Sequence, residues 1–184
     1  MSKAICCLFL LRTFALGQRA DFFKEDITFR LDATYFRVEG YYWFANHSAA
    51  PLNSEVYYPF PTYAGDQIDS IRIYNISAGR ESGFKREDKF GISFVLHLAS
   101  LDTAMLQIKY RQKLTADSAV YVLKTTQGWG RPLDDAEFKL ITPDSFMITK
   151  FSYPPDESFA LDKLRIYHWK KRNFMPAEDM TFYF

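Results

Sequence analysis

The sequence predicts an all-β chain, an antiparallel β-sandwich of about ten short strands. Three observations lead there. Phe, Tyr and Trp make up 18% of the 184 residues, apolar residues recur with period two along most of the chain, and clusters of Pro, Gly, Asn and Asp interrupt the pattern at short intervals. Aromatic rings pack well on a pleated surface and lose rotamer freedom in a helix, so this composition favours strands. Period-two alternation places successive side chains on opposite faces, which suits sheets with one buried side. No stretch sustains a helical period beyond about two turns.

The first strand is read at Ile27, Phe29 and Leu31, which alternate with Thr28, Arg30 and Asp32. Residues 41–61, YYWFANHSAAPLNSEVYYPFP, read as two strands joined by a turn. Asn46 and Ser48 can bond their own backbone there, Pro51 presets φ, and Pro59 and Pro61 cannot donate to a ladder and so close the second strand. Ile92, Phe94, Leu96 and Leu98 form one apolar face, and Ala104, Leu106, Ile108 and Tyr110 another. These two strands are expected to pair and to share one interior. Further strands are expected over 37–45, 53–58, 68–75, 119–124, 136–141, 145–151, 164–169 and 179–184. Loops are expected at 78–88, rich in charge and glycine, and at 154–158. Neither an internal repeat nor a low-complexity tract is present, so residues 18–184 are read as a single β-sandwich domain, of a length that closes a core without a metal or disulfide staple.

Residues 1–17 differ from the rest. Lys3 gives a cationic start, 4–16 are mostly apolar around one charge, Arg12, and Ala15-Leu16-Gly17 places small residues where signal peptidase reads them. A signal peptide cleaved after Gly17 is expected, which implies a secreted or periplasmic protein. The apolar run is short of the ~20 residues a bilayer needs, and no later segment is long and uncharged enough for a transmembrane helix. Both cysteines, Cys6 and Cys7, lie in this segment, so thiol catalysis, thiolate metal sites and disulfides are not expected in the mature chain. Removal of Lys3 and Arg12 leaves 21 basic against 22 acidic side chains. That balance gives no handle on nucleic acid. The basic run Lys170-Lys171-Arg172 is read as a solvated turn before Asn173.

The catalytic inventory is thin. His47, His97 and His168 are too far apart for a local metal pattern, and no G-x-S-x-G elbow is present. Asp134, Asp135 and Glu137 are the densest acids near an aromatic, Trp129, and a glycosidase needs only two facing carboxylates; beside Pro132 they read more simply as turn chemistry. No catalytic residue, metal ligand or cofactor is therefore assigned, and an enzyme is not expected. Candidate binding residues lie on two loops: Asn46 and His47 in the first turn, Trp129 and Arg131 in Gly128-Trp129-Gly130-Arg131-Pro132-Leu133. The glycines there let the indole either cap the core or stand out as a stacking platform. Asn46-His47-Ser48 and Asn75-Ile76-Ser77 match the N-glycosylation pattern.

The order of several short motifs carries a family resemblance. They are Phe44-Ala45-Asn46 at a strand end, Tyr57-Tyr58-Pro59-Phe60-Pro61, the strand Leu106-Gln107-Ile108-Lys109-Tyr110-Arg111-Gln112, Tyr121-Val122-Leu123-Lys124-Thr125-Thr126 ahead of Trp129 and Pro132-Leu133, and the stretch from Trp169 to Met180. Together they resemble the vault protein inter-alpha-trypsin domain and a related bacterial extracytoplasmic family. The resemblance implies a β-sandwich interaction or structural module, with no family catalytic residue to carry over and no D-x-S-x-S metal loop in this sequence. The expected role is thus a non-catalytic module acting on a protein or glycan at the cell envelope. Two other classes stay open at this point: a small outer-membrane β-barrel, since eight strands would fit the length and the chain closes on alternating Met180, Phe182 and Phe184, and a carbohydrate-binding or carbohydrate-active domain resting on Trp129 and the nearby acids.

Overall fold

A computed structural model describes residues 19–62, 64 and 67–184. The expected signal at 1–17, with Cys6 and Cys7, lies outside the described residues. The chain forms β1 (Asp21–Leu31), β2 (Tyr35–Ala45), β3 (Leu52–Pro59), β4 (Ile68–Asn75), β5 (Arg80–Glu81), β6 (Lys85–Glu87) and β7 (Gly91–Leu98) in its first half. β8 (Thr103–Lys113), β9 (Ser118–Tyr121), β10 (Leu133–Pro143), β11 (Lys150–Phe151), β12 (Glu157–Leu161), β13 (Leu164–Phe174) and β14 (Met180–Tyr183) follow, with a 3-10 helix at Lys124–Trp129 between β9 and β10.

The strands make a sandwich with one broad and one divided layer. The broad layer is an eight-stranded sheet in the order β12-β13-β10-β1-β2-β8-β4-β5. The opposite layer consists of two three-stranded sheets, β3-β7-β6 and β11-β14-β9. The broad sheet ends at β12 on one side and β5 on the other, so it does not close, and the outer-membrane barrel reading is overturned. Among the described residues, every ladder is antiparallel except one: β1 runs parallel to β10, from Lys24 opposite Asp135 to Arg30 opposite Ile141. Among the described residues, no helix is long and apolar enough to cross a membrane.

The core lies between the layers and is filled by aromatic rings. Phe29 of β1 stacks on Phe36 of β2 at 5.4 Å and meets Phe182 of β14 edge-on at 5.2 Å. Tyr58 of β3 stands edge-on to Tyr110 of β8. Trp169 is fully buried and donates its indole N–H to the Tyr153 carbonyl at 2.9 Å. Rings tilted or edge-on to one another gain quadrupole attraction beyond the apolar area they bury, so this core rests on directed contacts as well as on volume.

Several sequence expectations require correction. The faces of Ile92, Phe94, Leu96 and of Leu106, Ile108 share one interior, but β7 pairs with β3 and β6 while β8 pairs with β2 and β4; the two faces meet across the sandwich. Two faces of opposing sheets carry the same period-two signature as two paired strands, so periodicity alone could not separate the cases. The basic run Lys170-Lys171-Arg172 lies inside β13, whose ladder to β10 continues to Phe174, and does not form a turn. Both expected loops contain short edge pieces, β5 and β6 in one and β12 in the other. These are made by backbone pairing of mostly exposed residues, which leaves no apolar pattern to read.

Candidate functional site

The divided layer leaves a seam where the sheet of β3 meets the segment after β9, over the inner face of β1 and β2. The seam is shaped by local backbone features. On β1 the register slips between Phe22 and Lys24, a bulge that turns Phe22 and Glu25 toward the same interior although they are three apart in sequence. The 3-10 helix after β9 ends at Gly130, whose φ of 77° is one an L-residue adopts at a cost. That ending sets Trp129 against Phe22 and Phe44, each at 5.7 Å between ring centroids.

Glu25 is the unusual group here. Its neighbours on the inner face of the broad sheet are aromatic and aliphatic, and it is only 2% exposed. Oε2 accepts a hydrogen bond from the Tyr121 hydroxyl at 3.3 Å. Oε1 has no hydrogen-bond partner. Tyr121 is joined to Tyr42 at 3.1 Å, and Tyr42 to Tyr58 at 2.8 Å, so a chain of three phenols from three sheets ends on one carboxyl. Burial pushes the Glu25 carboxyl up to about 8, partly opposed by the Tyr121 hydrogen bond. Burial, reinforced by the nearby carboxylate, also holds the Tyr42 and Tyr121 phenols well above their ordinary range.

Gly40 makes this arrangement possible. It lies two residues before Tyr42 on the same inner face of β2, and a Cβ at this position would overlap the Tyr42 ring, 2.5 Å from Cζ. Without that side chain the Tyr42 ring lies along its own strand, where its hydroxyl reaches both Tyr58 and Tyr121.

Glu25 and the three tyrosines border a cavity of about 50 Å³. Five of its lining residues, Val56, Tyr57, Val122, Thr125 and Trp129, also line a surface cleft of about 710 Å³. Arg19, Glu55, Lys124 and Asp179 stand around that cleft. The Arg19 guanidinium lies over the Trp129 ring at 4.1 Å and donates to the Gly128 carbonyl at 2.8 Å. The indole thus packs against Phe22, Phe44 and Arg19 and also lines the cleft.

The four sequence-predicted binding residues cluster at this end of the sandwich with unequal roles. Asp21 accepts from Arg131 at 2.5 Å and contacts His47 Nε2 at 3.0 Å, and Arg131 also pairs with Asp134. These are rim contacts beside the seam. Asn46 is buried and braces the turn: Nδ2 donates to the carbonyls of Ala50 and Ala99, and Oδ1 accepts from Ser48. Its side-chain amide is thus engaged within the turn. Trp129 both caps the core and borders the cleft. Glu137 lies on the outer face of β10 with His168 at 2.7 Å and Lys139 at 3.2 Å. It does not face Asp134 or Trp129 across a cleft, so the paired-carboxylate arrangement is not formed there. Among the described residues, no three His, Cys, Asp or Glu side chains converge on a possible metal position.

The sequence reading missed Glu25, Tyr42, Tyr58, Tyr121 and Gly40. One signal was available: Glu25 precedes the alternation Ile27, Phe29, Leu31 by one period and stands on its apolar side. A carboxylate in an apolar phase is a cue for a buried acid.

No family model and no curated protein matches the chain. Solved structures do. A protein from Legionella pneumophila, provisionally named as nutrient binding, superposes with a TM-score of 0.70 at 12% identity, over 90% of this chain and 67% of that one. An M1 zinc metallopeptidase from Deinococcus radiodurans gives 0.55 at 13% identity, over 92% of this chain and 44% of its own. A provisionally named protease from Parabacteroides distasonis gives 0.51 at 11%, over 90% and 40%. The chain therefore spans less than half of either peptidase-type structure. At these identities the likeness establishes the all-β sandwich fold.

Proposed function

We propose that this chain is a non-catalytic binding module of the cell envelope, secreted or periplasmic, which takes a segment of a peptide or glycan in the cleft beside Trp129. The observation that carries the reading is the cleft itself. It has the volume of a small-ligand site, about 710 Å³, and its walls come from β3 and the 3-10 segment, both held by a packed core. Rigid walls lower the entropy cost of binding, which is how such scaffolds present ligand sites. Basic Arg19 and Lys124 with acidic Glu55 and Asp179 around it suit a polar ligand of mixed charge. The likeness in fold to a protein provisionally named for nutrient binding supports the reading. The envelope location rests on the signal expected at 1–17.

The test is an NMR titration that follows the Trp129 indole N–H with amino acids, dipeptides and short oligosaccharides. At least one class should shift that signal saturably, emerge unaltered, and lose affinity in Trp129→Ala, with folding checked by thermal melting. The reading fails if no compound perturbs the cleft, or if a compound is converted and Trp129→Ala leaves its binding intact.

A further inference from the structure

The cavity behind the cleft has a chemistry of its own. An oxygen of a fully buried carboxyl with no hydrogen-bond partner is costly, because the group has given up water without replacement. Glu25 Oε1 is in that position. The phenols of Tyr121, Tyr42 and Tyr58 beside it are already engaged with one another and with Oε2, and the hydroxyls of Thr125 and Thr126 also line the cavity. Among the described residues, no basic side chain forms an ion pair with Glu25. The remaining walls include the rings of Phe22, Phe44 and Trp129. Aromatic faces attract cations, and a carboxylate complements a cationic donor. An anion would meet both as repulsion. The space, about 50 Å³, is one to two water-sized groups by the ~30 Å³ that a water occupies in the liquid. An aminomethyl head fits that volume.

We infer that the Glu25 cavity is a subsite for a primary ammonium group, whose remainder lies in the Trp129 cleft. The inference rests on the binding reading above and names the chemistry of its inner end. The ammonium donates to Oε1, fills the acceptor left unpaired, and sits among the rings of Phe22, Phe44 and Trp129. It enters through the shared wall of Val56, Tyr57, Val122, Thr125 and Trp129. Selection is for charge and donor count together: an alcohol of the same length lacks the charge, and a carboxylate has the wrong sign.

Binding is coupled to a proton. In the free protein, Glu25 faces Tyr121 from β9, Tyr42 from β2 and Tyr58 from β3, with Ala136 beside it on β10. No charge from those elements holds it ionised, and burial keeps its proton on up to about pH 8. An arriving ammonium favours the carboxylate and displaces that proton. Affinity should therefore rise with pH below about 8 and level off above it, until the amine itself loses its charge.

The experiment uses n-butylammonium chloride as probe, with 1-butanol and sodium butyrate as controls, titrated by NMR at several pH values. The expected result near pH 8 is saturable binding of butylammonium at least about tenfold tighter than 1-butanol, with no binding of butyrate. Affinity in the wild type should climb about tenfold from pH 6.5 to 7.5, the slope of one displaced proton. Glu25→Gln should weaken butylammonium at least about tenfold, leave 1-butanol unchanged and flatten the profile. Equal affinity in the variant, or a wild-type profile that is flat below pH 8, would overturn the inference; the second readout holds even if the variant folds poorly. If butylammonium fails while another compound still shifts the Trp129 indole, the cleft reading survives and the ammonium subsite does not.

Discussion

Glu25→Gln should also remove a pH dependence of stability that the wild type carries. The carboxyl is pushed up to about 8 in the folded chain, against 4.5 ordinarily. Between those values the folded protein holds a proton that the unfolded chain releases. Stability from this group is full below pH 4.5 and is lost as pH rises through about 8. At 1.36 kcal/mol per pH unit, the whole interval corresponds to roughly 5 kcal/mol, an upper figure because water reaching the site would relieve part of it. Gln keeps the shape and does not titrate. Urea unfolding of both proteins at four pH values from about 5 to 8 should show the wild type losing about 1.4 kcal/mol per unit relative to the variant. The carboxylates held low by their partners, among them Asp32, Asp69 and Glu137, lose stability in acid instead and cancel in the difference. A difference that stays constant over this range would show that Glu25 ionises alike in both states, and the account of its burial would be wrong.

Two further outcomes are expected. Gly40→Ala should displace the Tyr42 ring, break the phenol chain, and cost on the order of 1–3 kcal/mol, the range for overpacking a tight core; denaturant midpoints, together with loss of the far-downfield Tyr42 hydroxyl signal, check it. Phe94→Ala should cost about 3–5 kcal/mol because the ring is buried between the layers, whereas Ser93→Ala should cost about 1 kcal/mol, the price of the hydrogen bond its hydroxyl donates to Glu87 at 2.8 Å; equal midpoint shifts would contradict the placement of the two side chains.

How far the molecule could be read in advance follows from what a period of two encodes. β4 was legible residue for residue at Ile68–Asn75, although a bulge between Asp69 and Arg72 interrupts its alternation and buries Ile68 and Ile73, five positions apart. β3 ends at Pro59, where a ladder donor runs out. By contrast, β12 is exposed along its whole length and is specified only by pairing with β13. The 3-10 helix that positions Trp129 was not expected; its first residue, Lys124, was read as the end of a strand and its last two as part of a turn, since six residues carry too little period to tell. The candidate site was half visible. Of the residues expected from loop chemistry, Trp129 lines the cleft, Arg131 and His47 both contact Asp21, and the Asn46 amide braces the turn. Glu25 and its three tyrosines are separated by up to 96 residues and converge only when three sheets meet, a relation no local pattern contains.

The single parallel ladder has a consequence for how the chain assembles. It joins β1 to β10 across 111 positions, Lys24 to Asp135, and divides the broad sheet into an early part, β1-β2-β8-β4-β5, and a late part, β10-β13-β12. Each part can zip antiparallel ladders on its own, after which the seam between them requires closing the connection from Lys113 to Leu133, an entropy cost of roughly 3 kcal/mol before any constant term. Docking of the two halves is therefore the slow step expected on topological grounds. Until it happens, the edge of β1 stays open as a template for pairing with another chain, and the folding intermediate, more than the native protein, is where aggregation would begin.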